Sequence, residues 1–236
     1  MATIAILPAR RGSKRIKNKN IVEFCGTPMI AYALEATSKS QLFDKIHVST
    51  DSVEIKNIVE SLGYPVEFMR PSELAGDTVG TIPVLQWVLE KYNSLNKNYD
   101  DVFNIMPAAP FLKSDDLTKA YELYLKHKRK HSVHVVTEFP VPIEWSYRRK
   151  DNGRINPINP GAYAIRSQDL EKAYYETGPF SIFNVTHLSD DDPVTDEGFI
   201  SYVMPKDRAI DIDDEQDLAF AKKIFLGQQA LENEKK

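Results

Sequence analysis

The 236-residue chain has one cysteine, Cys25. A lone cysteine excludes an internal disulfide and fits a reducing compartment, so the expected location is cytoplasmic. No apolar run approaches the roughly 20 residues that a membrane-spanning helix needs, and no membrane partner is expected. The N-terminus lacks the basic n-region and the small-residue cleavage site of a signal peptide. Asn184-Val185-Thr186 matches a glycosylation acceptor, but without a secretion signal it is read as a chance match. His127, His131 and His134 lie close together with no cysteine nearby, and are read as a solvated helix end rather than a metal site. Neither sign of charge dominates: 30 Lys+Arg stand against 34 Asp+Glu. With 42% hydrophobic and 27% charged residues, the chain has the profile of a globular protein, long enough for one large α/β domain or two small ones.

The small net charge of −4 hides an asymmetry. Residues 10–20 hold six basic side chains and no acidic one: Arg10, Arg11, Lys14, Arg15, Lys17 and Lys19. The remainder is left with 24 basic residues against 34 acidic ones. A basic segment on an acidic chain points to an anionic ligand, and the absence of a matching basic stripe elsewhere argues against nucleic acid.

The apolar pattern predicts strands alternating with amphipathic helices. Ile4–Leu7, Lys45–Ser49, Val66–Met69, Val102–Met106, Val133–Thr137 and Phe199–Met204 read as strands. Thr27-Pro28 reads as the cap and first residue of a helix, Asp51 or Ser52 caps a second that Gly63 closes, a longer helix carries Ile82–Leu95, and Ser114 caps the next. A further helix is expected near Gln168–Glu176 and a last one from about Asp214 to Leu226. The rhythm breaks at 138–160, where four prolines and a hairpin-like Asp151-Asn152-Gly153 turn predict an inserted arm. The fold expected is a single doubly wound, mostly parallel α/β sheet of Rossmann-like type over residues 1–228, followed by a charged tail at 229–236.

Three constellations carry chemistry. The basic loop follows the first strand, where ligands of open α/β sheets sit. Gly12, Ser13 and the surrounding cations suit a polyphosphate, although neither a P-loop nor a dinucleotide glycine pattern is present. A solvated basic turn is the competing reading. If 209–213 is extended, Asp211 and Asp213 face the same way, which suits Mg²⁺ or Mn²⁺ beside bound phosphates. Helix capping is the alternative there, and it accounts for Asp214, Glu215 and Asp217. Arg70 is a phosphate clamp or a surface cation, and Thr81 a ligand contact or a helix cap.

Together these segments resemble the CMP-sialic acid synthetase family of cytidylyltransferases over nearly the whole chain. Pro8–Ile21 is similar to that family's signature loop, Ser49-Thr50-Asp51 to its second strand end, Arg70-Pro71-x-Glu73-Leu74-x-x-Asp77-Thr78 to its third, and Asp211-Ile212-Asp213 to its acidic motif. The resemblance implies that Arg10, Lys14 and Lys19 bind and activate the triphosphate of CTP, with Gly12 and Ser13 in the same cradle. It implies that Asn20 bonds cytosine, Thr81 seats the nucleoside, Arg70 contacts phosphate, and Asp211 and Asp213 hold the metal. Met106-Pro107-Ala108-Ala109-Pro110 stands where the family usually has Gln-Pro-Thr-Ser-Pro, which implies a less polar sugar contact at Ala108. Thr137–Pro140 and the stretch from Arg166 to Phe180 resemble the pseudaminic acid branch; Arg166, Gln168 and Phe180 are assigned to the sugar, with capping and surface charge as the rival explanation for the first two. The activity implied is transfer of CMP from CTP to a nine-carbon acidic sugar, pseudaminic acid ahead of N-acetylneuraminic or legionaminic acid, by a homodimer. A non-catalytic nucleotide sensor on the same fold is the reading from another class.

Overall fold

Alternation along β1 (Thr3–Pro8) sets the layers of the molecule, seen here in a computed structural model that describes residues 1–188 and 198–234. Ala5 and Leu7 point into one core with Ile30, Leu34 and Phe103, while Ile4 and Ile6 point into another with Leu85, Val88 and Val102. All four β1 side chains are fully buried, as a central strand covered on both faces requires. The first core is closed by α1 (Met29–Ser40), α2 (Val53–Ser61) and α4 (Ser114–Lys126); the second by α3 (Thr81–Ser94).

β4 (Lys45–Ser49) and β5 (Asp101–Ile105) flank β1 in parallel. Beyond them lie β6 (Val133–Glu138), β9 (Tyr174–Asn184) and β10 (Ile200–Val203), and the sheet order is β10-β6-β9-β5-β1-β4. Among the described strands of this sheet, only β9 runs antiparallel to its neighbours, β5 and β6. The sheet is therefore mostly parallel and doubly wound. The chain leaves β1 toward β4 and then returns across it to β5, so the carboxyl ends of β1 and β5 enclose the switch-point crevice where such sheets bind ligands.

Several elements differ from expectation. Val66–Met69 forms no strand: Pro65 and Pro71 bracket it, and its apolar residues divide between the two cores, Val66 in one and Phe68 in the other. Thr27-Pro28 does not begin a helix. It is β3 of a small hairpin with β2 (Glu23–Phe24), turned by Cys25 and Gly26, both at positive φ as a type I′ turn requires. The helix starts at Met29, with Pro28 at its cap position. Ser52 does cap α2, accepting from the Ile55 amide at 3.4 Å. At α4 the cap position is Lys113, not Ser114, and Asp116 reaches back to the Lys113 amide at 2.9 Å. The helix expected near 168–176 is instead a single 3₁₀ turn followed by β9. The arm contains the antiparallel pair β7 (Tyr147–Arg149) and β8 (Ile155–Pro157), with Gly153 at φ +82 in the turn. The last helix, α5 (Glu215–Glu234), runs past its expected end near Leu226 and into the charged tail. Among the described residues no helix is long and apolar enough to cross a membrane.

A buried polar knot beside β4 gives the fold an acid-sensitive point. His47 is fully buried; its Nδ1 meets the Tyr92 hydroxyl at 3.0 Å, and that hydroxyl donates to Glu67 at 2.7 Å. Burial pushes the His47 pKa down; Glu67 opposes this, and Lys45 and Arg70 add to it. A histidine with a depressed folded pKa contributes stability above its unfolded value near 6.5 and loses it as pH falls below that value. Stability is expected to fall between pH 7 and pH 5 with a slope of up to about 1.4 kcal/mol per pH unit. Burial raises the Glu67 pKa, but bonds from His47, Lys45 and Tyr92 outweigh it and hold it below the ordinary range, so a further loss follows below about pH 4.5. Urea titrations across this range, with His47→Leu as control, check this; an unchanged slope in that variant refutes the assignment.

Candidate active site

The loop after β1 is shaped by Asn20, which is buried and donates its Nδ2 to the Arg10 carbonyl at 3.0 Å. Asn18 at φ 53 turns the chain into a 3₁₀ turn at Lys19–Ile21. On the other side the Arg11 amide donates to Asp51 at 2.9 Å, just beyond β4. Ile16 is buried with Phe24 and Ile212, so the loop is pinned by an apolar anchor while its cations point outward.

Four of those six cations fall into two pairs, each facing one carboxylate. Arg10 meets Asp77 at 2.6 Å, and Lys14 contacts the other oxygen of the same carboxylate. Arg15 meets Asp213 at 3.0 Å, and Lys19 meets it at 3.3 Å. Between them opens a cavity of about 420 Å³ walled by Arg10, Gly12, Ser13, Lys14, Lys19 and Asn20. The basic loop and the acidic motif, nearly 200 residues apart in sequence, are thus in contact.

The Asp211-Ile212-Asp213 segment is not a helix cap. Ile212 is buried among Phe24 and Phe111, which turns both flanking carboxylates toward a second cavity of about 380 Å³. Capping falls to the next residues. Asp214 accepts from the Gln216 and Asp217 amides at 2.8 and 2.9 Å, and Asp217 from the Asp213 and Asp214 amides at 2.9 and 3.1 Å. Burial and the neighbouring charge of Asp213 raise the Asp211 pKa. Burial also pushes Asp213 up, but Lys19 and Arg15 outweigh it and hold it low. Among the described residues no three His, Cys, Asp or Glu side chains group as a ready-made metal cage. Two carboxylates with the remaining positions open match Mg²⁺ completed by phosphate oxygens and water.

The two cavities share Lys19, Met106, Ala108 and Asp213. One end is cationic; the other is lined largely by apolar groups such as Ala109, Phe111, Leu112, Met204 and Ile210. Arg208 also reaches that second cavity, fixed by Asp116 at 2.9 Å. Asp116 also accepts from the Tyr202 hydroxyl at 2.8 Å, tying α4 to β10 and to the segment that leads into the acidic motif.

Not every expected residue joins this cleft. Arg70 is buried and turned toward Ser49, donating to its carbonyl at 2.5 Å and its hydroxyl at 3.1 Å. Burial lowers its pKa to about 10, which leaves it charged at neutral pH. Thr81 is the first helical residue of α3, with Gly80 at the cap position, and lies at the wall of a third cavity of about 480 Å³. Phe180 lines that same third cavity; it is 1% exposed and packs beside Tyr202. Arg166 is exposed beyond the arm and pairs with Asp169 at 2.8 Å, and Gln168 is exposed beside it. Neither reaches the two joined cavities. The sequence did not single out Arg15, Arg208 or the ligand-facing place of Asp77. Asp77 stood inside a quoted motif without a role, and Arg208 lies three residues before the acidic pair with no pattern of its own.

A switch-point cleft with a cationic cradle at one end, two carboxylates at its middle and an apolar chamber beyond belongs to a nucleotide-dependent transferase. The comparisons agree. The family described as cytidylyltransferase matches residues 4–145. The pseudaminic acid cytidylyltransferase of Campylobacter jejuni subsp. jejuni serotype O:2 is 34% identical over 95% of this chain and 97% of its own. The CMP-N,N'-diacetyllegionaminic acid synthase of Legionella pneumophila is 28% identical over 98% of this chain and 100% of its own. The solved structure of CMP:2-keto-3-deoxy-manno-octonic acid synthetase complexed with CTP has the same fold, with a TM-score of 0.70 at 14% identity, covering 97% of this chain and 100% of that one. The chain belongs to the cytidylyltransferase family and is a nucleotidyltransferase.

Proposed function

We propose that the enzyme transfers CMP from CTP to the anomeric hydroxyl of pseudaminic acid, releasing pyrophosphate. The observation that carries this reading is the shared wall of the two cavities: a triphosphate seated on Arg10, Lys14 and Lys19 brings its α-phosphate to the mouth of an apolar chamber. A bond forms between the anomeric oxygen and the α-phosphorus as the bond to the β-phosphate breaks, and the hydroxyl proton is released. Arg10, Lys14 and Lys19 neutralise the leaving pyrophosphate, and Asn20 at the cradle edge reads the base. Asp211 and Asp213 would hold Mg²⁺ or Mn²⁺, which supplies charge neutralisation at the phosphates. A chamber lined by Ala108, Phe111 and Met204 favours a deoxygenated sugar, because an unpaired buried hydroxyl partner costs about 1–3 kcal/mol. The full-length likeness to a pseudaminic acid enzyme supports the same choice.

We also propose a cytoplasmic homodimer. The arm carries exposed apolar side chains, among them Val141 at 57% and Ile155 at 58% exposure, which an interface would cover. One assay tests the function: pyrophosphate release with CTP and pseudaminic, legionaminic or N-acetylneuraminic acid, with and without chelator, on protein whose mass is read by sedimentation. Pseudaminic acid should give the highest kcat/KM, and chelation should abolish release. Release with another sugar alone would overturn the substrate, chelator-resistant release the metal, and a monomeric mass the dimer.

A further inference from the structure

Asp77 has no place in the reaction as described, yet it occupies the centre of the phosphate cradle. Its carboxylate holds both Arg10 and Lys14, and it lines the same cavity as Gly12 and Ser13. A Cβ built on Gly12 would come within 3.9 Å of its Oδ1 and 3.5 Å of the Arg10 guanidinium, so the carboxylate sits directly over the loop's glycine. A triphosphate cannot engage the same two cations while this carboxylate remains on them, since like charges at that distance repel.

The segment that carries Asp77 is built to move away. Between Leu74, held by Arg70 at 3.5 Å, and the start of α3, its backbone bonds are local ones: Ala75 to Ser72 and Val79 to Gly76. Gly76 and Gly80 flank the aspartate, and nothing stands within 4 Å of a Cβ built on Gly80. The contacts from this segment to the basic loop are those of Arg10 and Lys14, with Arg10 also donating to the Ala75 carbonyl at 3.4 Å. All three charged side chains are substantially solvent-exposed, so the pairs are weak and readily exchanged.

We propose that Asp77 is a displaceable counter-anion of the cradle: it yields Arg10 and Lys14 to the β- and γ-phosphates of CTP and reclaims them as pyrophosphate leaves. The role rests on the proposed use of CTP and is a tuning one, weakening the grip on substrate and product phosphates so that product departs. Its effect is confined to ligands that carry those phosphates.

The test is calorimetric titration of CTP, pyrophosphate and CMP into wild type and Asp77→Asn, with and without magnesium. Asparagine preserves the shape and removes the charge. Releasing two exposed ion pairs should tighten CTP and pyrophosphate by about three- to tenfold, with CMP unchanged. Asp77→Glu, which keeps the charge, should stay near wild type. Unchanged or weaker CTP and pyrophosphate binding would overturn the proposal, as would equal tightening of CMP. Loss of affinity only when magnesium is present would make Asp77 a metal ligand instead. A wild type that binds neither CTP nor pyrophosphate would overturn the proposed reaction, and this inference with it, whereas a wild type that binds both isolates the inference.

Discussion

Lys19→Met is expected to lower kcat for pyrophosphate release by about 10²–10³-fold, the loss typical when a single preorganised charge at a developing anion is removed. Lys19 has the position for this. It lines both cavities, its side chain is only 21% exposed, and its Nζ lies 3.3 Å from Asp213. On the proposed reaction, a cation at the junction would face the α-phosphate, where negative charge builds on the bridging oxygen that leaves with pyrophosphate. Methionine keeps the unbranched stem and removes the charge, so the melting temperature should change little. The comparison variant is Arg15→Met. Arg15 contacts the same Asp213 carboxylate, but its side chain is 65% exposed and it reaches only the phosphate cavity. A screened surface pair contributes about 0–1 kcal/mol, so its loss should change kcat no more than about fivefold. Equal effects in the two variants would show that Asp213 merely needs a partner, and a loss below about tenfold for Lys19→Met would remove it from the catalytic step.

The contrast between Lys19 and Arg15 also shows what a sequence can carry. Both lie in one basic segment, and charge alone does not separate them. Separation comes from Ile16, whose burial between them fixes which way each side chain leaves the loop. The centre of the sheet is legible because β1 is buried on both faces, and burial of that kind demands a continuous apolar run, Ile4–Leu7; β5 shows it less cleanly, with buried Asp101 and Asn104 among Val102, Phe103 and Ile105. β9 is not legible. Its buried residues are confined to Phe180–Ile182, its first half is polar and exposed, and Gly178-Pro179 interrupts it, so neither period shows. Val66–Met69 fails the opposite way. Its apolar residues serve two cores and not a hydrogen-bonded ladder. In the site, Asp211 and Asp213 are separable from the capping Asp214 and Asp217 only once Ile212 is seen to be buried. Arg208 is invisible to local pattern because its partner, Asp116, lies 92 residues away.

Asp101 is the clearest instance of a residue whose weight comes from the fold alone, and Asp101→Ala is expected to cost about 3–5 kcal/mol of stability. The side chain is 0% exposed at the first position of β5. It accepts from the Tyr124 hydroxyl at 3.0 Å, the Tyr121 hydroxyl at 3.1 Å, and Arg129 Nε and Nη2 at 2.9 and 2.6 Å. Burial, with the Asp101 charge behind it, raises both tyrosine pKa values, Tyr121 to about 12. Burial lowers the Arg129 pKa, but the bond to Asp101 outweighs it and raises it overall. Removing the carboxylate strands two hydroxyls where α4 and its following turn meet the sheet and leaves the Arg129 guanidinium without its charge partner, though Nη2 still donates to the Asp100 carbonyl at 3.1 Å; each stranded donor adds a desolvation penalty. For a chain of this size the loss corresponds to a fall in Tm of about 6–20 °C. Asp101→Asn keeps one acceptor oxygen and should lose less. Since Asp101 touches neither joined cavity, kcat of the folded fraction should stay at the wild-type value in both variants, measured well below their melting points. A Tm loss of less than about 3 °C for Asp101→Ala would show that water replaces the carboxylate, and a fall in kcat at full folding would show that the knot's reach extends to the cleft.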